Sequence, residues 1–197
     1  MLKLAALKKK KEAGGGTERA GGDGTTASAD GVSVANASNA LAAASRLRLQ
    51  RDITELDVSD RVSVQFPDAN DLTRFVVAVR PPEGHYRGGW FRFAFEVPPT
   101  YPHAPPRVRC LTRVFHPNID EQGNVCLNIL REEWKPVLSL NSILYGLQHL
   151  FLEPNAEDGL NREAAQLLMS HPNEFRARVT QWMRREAATG ASSSRGR

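Results

Sequence analysis

The clearest pattern in the chain lies at residues 90–97, where Phe91, Phe93, Phe95 and Val97 alternate with Arg92, Ala94 and Glu96. A period of two puts the aromatic groups on one face of a strand and the charges on the other. Similar short apolar runs at Val62–Phe66, Phe75–Val79 and Val108–Leu111 predict three more strands, separated by Pro/Gly turns such as PPEGHYRGG at 81–89. An aromatic sheet face needs a cover. The segment Leu140–Leu152 supplies one, because Leu140, Ile143, Leu144, Leu147 and Phe151 recur at helical spacing and Pro154 closes the run. Two further helices are predicted, at Arg162–Met169 after Asn161 and at Glu174–Arg185 after Asn173, the second with Phe175, Val179, Trp182 and Met183 on one face. A first helix is expected from near Ser45, its start open to extension back into the Ala-rich run, with Leu47, Leu49, Ile53 and Leu56 mostly on one side. The order of helix, four-stranded meander, irregular stretch and three helices predicts an α+β domain.

The flanks read differently. Residues 13–44 are mostly Gly, Ala, Ser, Thr and Asn with no aromatic group, and are expected to form a flexible linker. The folded body is placed at 45–186, and 187–197 is expected to be a disordered tail. Residues 1–12 carry Met1, Leu2, Leu4 and Leu7 at near-helical spacing ahead of a lysine run, the pattern of a tethered helix-in-groove ligand.

Charge sharpens this division. Of 26 basic and 22 acidic side chains, 8 and 4 lie in residues 1–50, so the remainder is balanced at 18 against 18. A balanced body argues against a nucleic-acid groove. No stretch approaches the length of a membrane span or has the layout of a secretory signal. Beyond Lys11 the only lysine is Lys135, arginine being used everywhere else. Cys110 and Cys126 are too few for a disulfide framework and lack zinc-site spacing, so no metal is expected and reduced, intracellular thiols fit best.

The candidate chemistry sits in VFHPNIDEQGNVCLNILREEWKP, residues 114–136, too rich in turn residues for a strand and too apolar for a linker. Cys126 has polar neighbours and is assigned as reactive. Cys110 alternates with Val108 on a strand and is assigned to the core. His116 could serve Cys126 as a base, as in a cysteine protease, but its place in a turn before Pro117 argues against that role.

His116-Pro117-Asn118, then seven residues, then Cys126, then Trp134-Lys135-Pro136, resembles the active-site segment of ubiquitin-like-protein-conjugating enzymes. The likeness runs from about Ser45 to Arg185 and includes Tyr101-Pro102-His103-Ala104-Pro105-Pro106 and Asn155-Ala156-Glu157-Asp158-Gly159-Leu160. It implies the ubiquitin-conjugating (UBC) fold and a Cys126 thioester that accepts a modifier and yields it to a lysine amine. It also implies a role for Asp158 in orienting that amine and one for His116 and Pro117 in loop support. For Asn118 two readings stand, oxyanion donor or loop brace. Ala156 and Gly159 replace common prolines, so a looser loop is expected there. By matching position, His103, Pro136 and Val137 would meet a ligase.

Within the family, residues 125–155 and the first twelve residues resemble the branch that conjugates the Nedd (Rub) modifier to cullins. That branch implies as partners a Nedd-type modifier, its heterodimeric activating enzyme, a RING-type ligase with a co-ligase, and a cullin. Met1, Leu2, Leu4 and Leu7 would form the docking peptide, with Ala5 in place of an aromatic residue. The chain itself is expected to need no cofactor, ATP being used by the activating enzyme. A monomer in cytoplasm and nucleus, bound to neither nucleic acid nor membrane, completes the expectation. The alternatives are a ubiquitin-conjugating enzyme and a noncatalytic modifier-binding variant.

Overall fold

The structure is a computed structural model that describes residues 29–193. Helix α1 (Ala29–Thr54) leads into a sheet of β1 (Val62–Gln65), β2 (Arg74–Val79), β3 (Phe91–Glu96) and β4 (Arg107–Cys110). After an irregular stretch come α2 (Leu140–Leu152), α3 (Arg162–Ser170) and α4 (Pro172–Ser193). The sheet is an antiparallel meander in the order β1-β2-β3-β4, with Phe93 opposite Val77 and Cys110.

The alternation in β3 has the predicted result: Phe91, Phe93 and Phe95 are buried and Arg92 and Glu96 exposed. Helix α2 covers that face, with Leu140, Ile143, Leu144, Leu147, Leu150 and Phe151 all buried. Phe151 stacks on Phe91 at 4.2 Å between ring centroids. Each such side chain contributes roughly 1.5–3 kcal/mol of burial before ordering entropy is subtracted, which makes α2 the keystone of the core. Phe175 and Val179 of α4 are buried against the same core, while Trp182 and Met183 are half-buried beside it.

Three expectations need correction. The first helix begins at Ala29, so the second half of the expected 13–44 linker is helical. Alanine has the highest helix propensity, and the run Ala40–Ala44 contains nothing to stop a helix running back from the anchored part. At the other end α4 continues to Ser193, into the expected tail, through a stretch free of proline. Leu47 is 68% exposed rather than core-facing, because its two-position offset from buried Leu49 turns it by about 200° to the opposite side of the helix. The docking-peptide residues Met1, Leu2, Leu4 and Leu7 lie outside the described residues. Among the described residues, no helix is long and apolar enough to cross a membrane.

Candidate active site

The site is built around a tight turn. Asp120 accepts the Gly123 N–H through its carbonyl (3.0 Å) and both polar groups of Asn124 through its carboxylate (2.8 and 2.7 Å). Gly123 takes φ +83°, and a Cβ there would lie 2.1 Å from the Cys110 carbonyl oxygen. Glycine is therefore required by both conformation and space. The turn returns the chain along its incoming limb: Val125 bridges Ile119, and the Cys126 N–H donates to the Asn118 carbonyl at 2.9 Å. Cys126 is left half-buried, ahead of a short 3-10 turn at Asn128–Leu130, and its Sγ has no hydrogen-bond partner among the described residues.

His116 forms the floor. It is fully buried, stacked on Tyr86 at 4.9 Å and edge-on to Phe151 at 5.3 Å. Its Nδ1 accepts the Asn118 N–H at 2.9 Å, so the proton is assigned to Nε2, which donates to the Leu150 carbonyl at 3.0 Å. Burial holds the imidazole neutral, lowering its pKa to about 3. With both nitrogens occupied by backbone, this ring is not available to deprotonate Cys126. The Tyr86 hydroxyl donates to the Phe115 carbonyl at 2.8 Å and completes the buried support.

Asn118 joins the cysteine limb to the loop that carries Asp158. Its Oδ1 accepts the Asn155 N–H (2.9 Å), and its Nδ2 donates to the carbonyls of Asn155 (2.8 Å) and, more weakly, Asp158 (3.5 Å). In this geometry the carboxamide bridges the cysteine limb and the Asn155–Asp158 loop. A second tie runs from the Asn161 N–H to the Pro117 carbonyl at 2.9 Å, and the Asn161 side chain caps α3 through the Ala164 N–H. The loop expected to be loose is thus fastened at both ends. A Cβ at 159 would lie 2.6 Å from that of Ala165, so Gly159 suits the close approach of α3. Asp158 itself is exposed, and both it and Cys126 are attached to Asn118.

His103, Pro136 and Val137 are exposed on two loops that the structure binds together, Val137 at 81%. Trp134 Nε1 donates to the Pro102 carbonyl at 2.7 Å. Arg48 of α1 donates to the carbonyls of Pro136 (3.0 Å) and Leu138 (2.7 Å) and pairs with buried Asp52 (2.9 Å), which also accepts the Tyr101 hydroxyl. Sequence reading missed this ring of Arg48, Asp52, Tyr101 and Trp134. The i,i+4 spacing of Arg48 and Asp52 was its one visible trace. It also missed Tyr86 as the ring beneath His116. Among the described residues, no group of three or more His, Cys, Asp or Glu side chains is placed to hold a metal.

The site thus combines a half-buried thiol on a braced loop, a residue with an exposed carboxylate whose backbone carbonyl is reached by the same asparagine, and a histidine locked in the floor. A family model described as ubiquitin-conjugating enzyme matches residues 48–183, and the chain belongs to that family. It is accordingly a transferase of the ubiquitin-like conjugation class. Among its relatives, the Nedd8-conjugating enzyme UbcE2M of Drosophila melanogaster is 55% identical over 143 residues, covering 73% of this chain and 79% of the relative. The NEDD8-conjugating enzyme UBC12 of Yarrowia lipolytica is 46% identical over 179 residues, 91% of this chain and 89% of that one. The solved structure of S. cerevisiae Ubc12 superposes with a TM-score of 0.66 at 42% identity, covering 77% of this chain and 86% of that one.

Proposed function

We propose that the chain takes a Nedd8-type modifier from its activating enzyme onto Cys126 and passes it to a lysine of a cullin, assisted by a RING-type ligase. The observation that carries this reading is the contrast between an accessible Cys126 thiol and a His116 whose two nitrogens are committed to backbone. Attack on an amide would need that base. Exchange between thioesters does not, because the incoming thiolate and the departing one are of similar stability. In charging, Cys126 Sγ bonds to the modifier's terminal carbonyl carbon and the activating enzyme's cysteine leaves as thiolate. In discharge, the lysine nitrogen bonds to the same carbon, Cys126 leaves as thiolate, and the amine loses its proton.

Asp158 is suited to the second step, its exposed carboxylate accepting a hydrogen bond from the approaching amine and favouring proton loss. Asn118 serves as a positioning residue that sets Asp158 relative to Cys126. The names of the relatives support Nedd8 as the modifier. His103, Pro136 and Val137 would receive the ligase on two loops braced against α1. The amino-terminal peptide would dock on the activating enzyme and co-ligase.

The test is charging by purified Nedd8-activating and ubiquitin-activating enzymes, read on reducing and nonreducing gels. A reducible adduct with the Nedd8 pair alone is expected, and charging by the ubiquitin pair alone would overturn the modifier assignment.

A further inference from the structure

One buried carboxylate gathers three parts of the chain that are far apart in sequence. Asp52 of α1, its side chain 3% exposed, accepts the Arg48 Nε at 2.9 Å and also the Tyr101 hydroxyl. Arg48 spends its other two nitrogens on backbone, Nη1 on the Pro136 carbonyl at 3.0 Å and Nη2 on the Leu138 carbonyl at 2.7 Å. From the same loop, Trp134 Nε1 donates to the Pro102 carbonyl beside Tyr101 at 2.7 Å. The rings close the circuit. The Arg48 guanidinium lies 5.9 Å from the Tyr101 ring centroid, and the Tyr101 and Trp134 centroids are 5.9 Å apart.

A carboxylate this deep is costly unless its partners stay in place, so Asp52 holds Arg48 and Tyr101 as firmly as they hold it. Burial first, and then the neighbouring Asp52, raise the Tyr101 pKa above its ordinary value, which keeps the hydroxyl a donor. Arginine suits the other position because its planar fork points donors at a carboxylate and two carbonyls at once, which an ammonium group cannot do. The two loops joined in this way carry His103 on one side and Pro136 and Val137 on the other, all exposed.

We propose that Arg48, held by Asp52, is a positioning residue for ligase-assisted transfer, resting on the assignment of those two loops to the ligase. It fixes the His103 turn against the Val137 loop before a ligase arrives. Each of its three nitrogens already donates within the chain, the pattern of a brace and not of a contact residue. Ordering both loops in advance removes a cost otherwise met on binding, so Arg48 acts on ligase affinity and leaves bond-making at Cys126 alone.

The full chain, charged with Nedd8, would be followed as it discharges to free lysine, without ligase and across a series of RING-type ligase concentrations. Three variants join the wild type: Arg48→Gln/Asp52→Asn, which strands no buried charge; Arg48→Lys, which keeps the charge and loses the fork; and Val137→Glu at the exposed loop tip. In the first two, the half-saturating ligase concentration should rise at least about fivefold, with the maximal assisted rate and the ligase-free rate unchanged. Wild-type affinity in Arg48→Lys would show that charge alone is used and would overturn the brace. So would a lower maximal or ligase-free rate at unchanged half-saturation in the paired variant. Wild-type ligase affinity in Val137→Glu would instead overturn the assignment of the loops, and the proposal with it.

Discussion

The chain's two cysteines show how one side chain is given opposite fates. Cys110 is 5% exposed on β4, its Sγ donates to the Thr112 carbonyl at 3.2 Å, and burial pushes its thiol pKa up to about 12. Cys126 sits half-buried on a returning loop with its sulfur unbonded among the described residues. Gly123 stands between them: its carbonyl accepts the Cys110 N–H at 2.8 Å, and its positive φ turns the chain toward Cys126. The backbone around each thiol, more than the residue type, decides which one is accessible for chemistry.

The largest effect should come from the reactive thiol. Cys126→Ala should abolish the reducible adduct while Cys110→Ala retains it, and an adduct persisting in the first variant would break the contrast between the two. Gly123→Ala comes next, since its Cβ would meet the Cys110 carbonyl; a loss of at least ~2 kcal/mol in chemical denaturation is expected, together with slower charging.

His116 sharpens the contrast from beneath the loop. Its folded pKa lies below the unfolded value of about 6.5, so below that pH the unfolded chain binds a proton the folded one refuses. Stability should therefore fall as pH drops from about 6.5 toward 3, by up to ~1.4 kcal/mol per pH unit from this group. Denaturation midpoints across that window would show it, and the His116 ring carbons should not titrate by NMR at about pH 5. The smallest effect belongs to Cys110→Ala, about 1 kcal/mol of lost packing with unchanged charging kinetics.

Much of this was legible in the sequence, for identifiable reasons. The α2 stripe and the β3 alternation are local periodicities, and their burial followed directly. Cys126 could be separated from Cys110 by its neighbours, and the spacing from His116 to Trp134 carried the family. What could not be read depends on contacts distant in sequence. Asn118 reaches Asn155, 37 residues on, and only that contact shows its carboxamide committed to the loop. Arg48 reaches the Pro136 carbonyl 88 residues away, tying that loop to a helix whose own pattern shows only the Arg48–Asp52 spacing. The start of α1 was left open for a different reason: an alanine-rich run with little apolar bulk resembles a linker until an anchored helix extends into it, here back to Ala29.

The central claim is a division of labour in which the Cys126 thiol needs no base and the carboxylate of Asp158 serves the incoming amine. One experiment separates the two: charge wild-type protein and Asp158→Ala with Nedd8, stop the activating enzyme, and follow single-turnover discharge to free lysine. The account predicts equal charging and discharge slowed about a hundredfold in the variant. Charging impaired as much as discharge, or discharge at the wild-type rate, would contradict it.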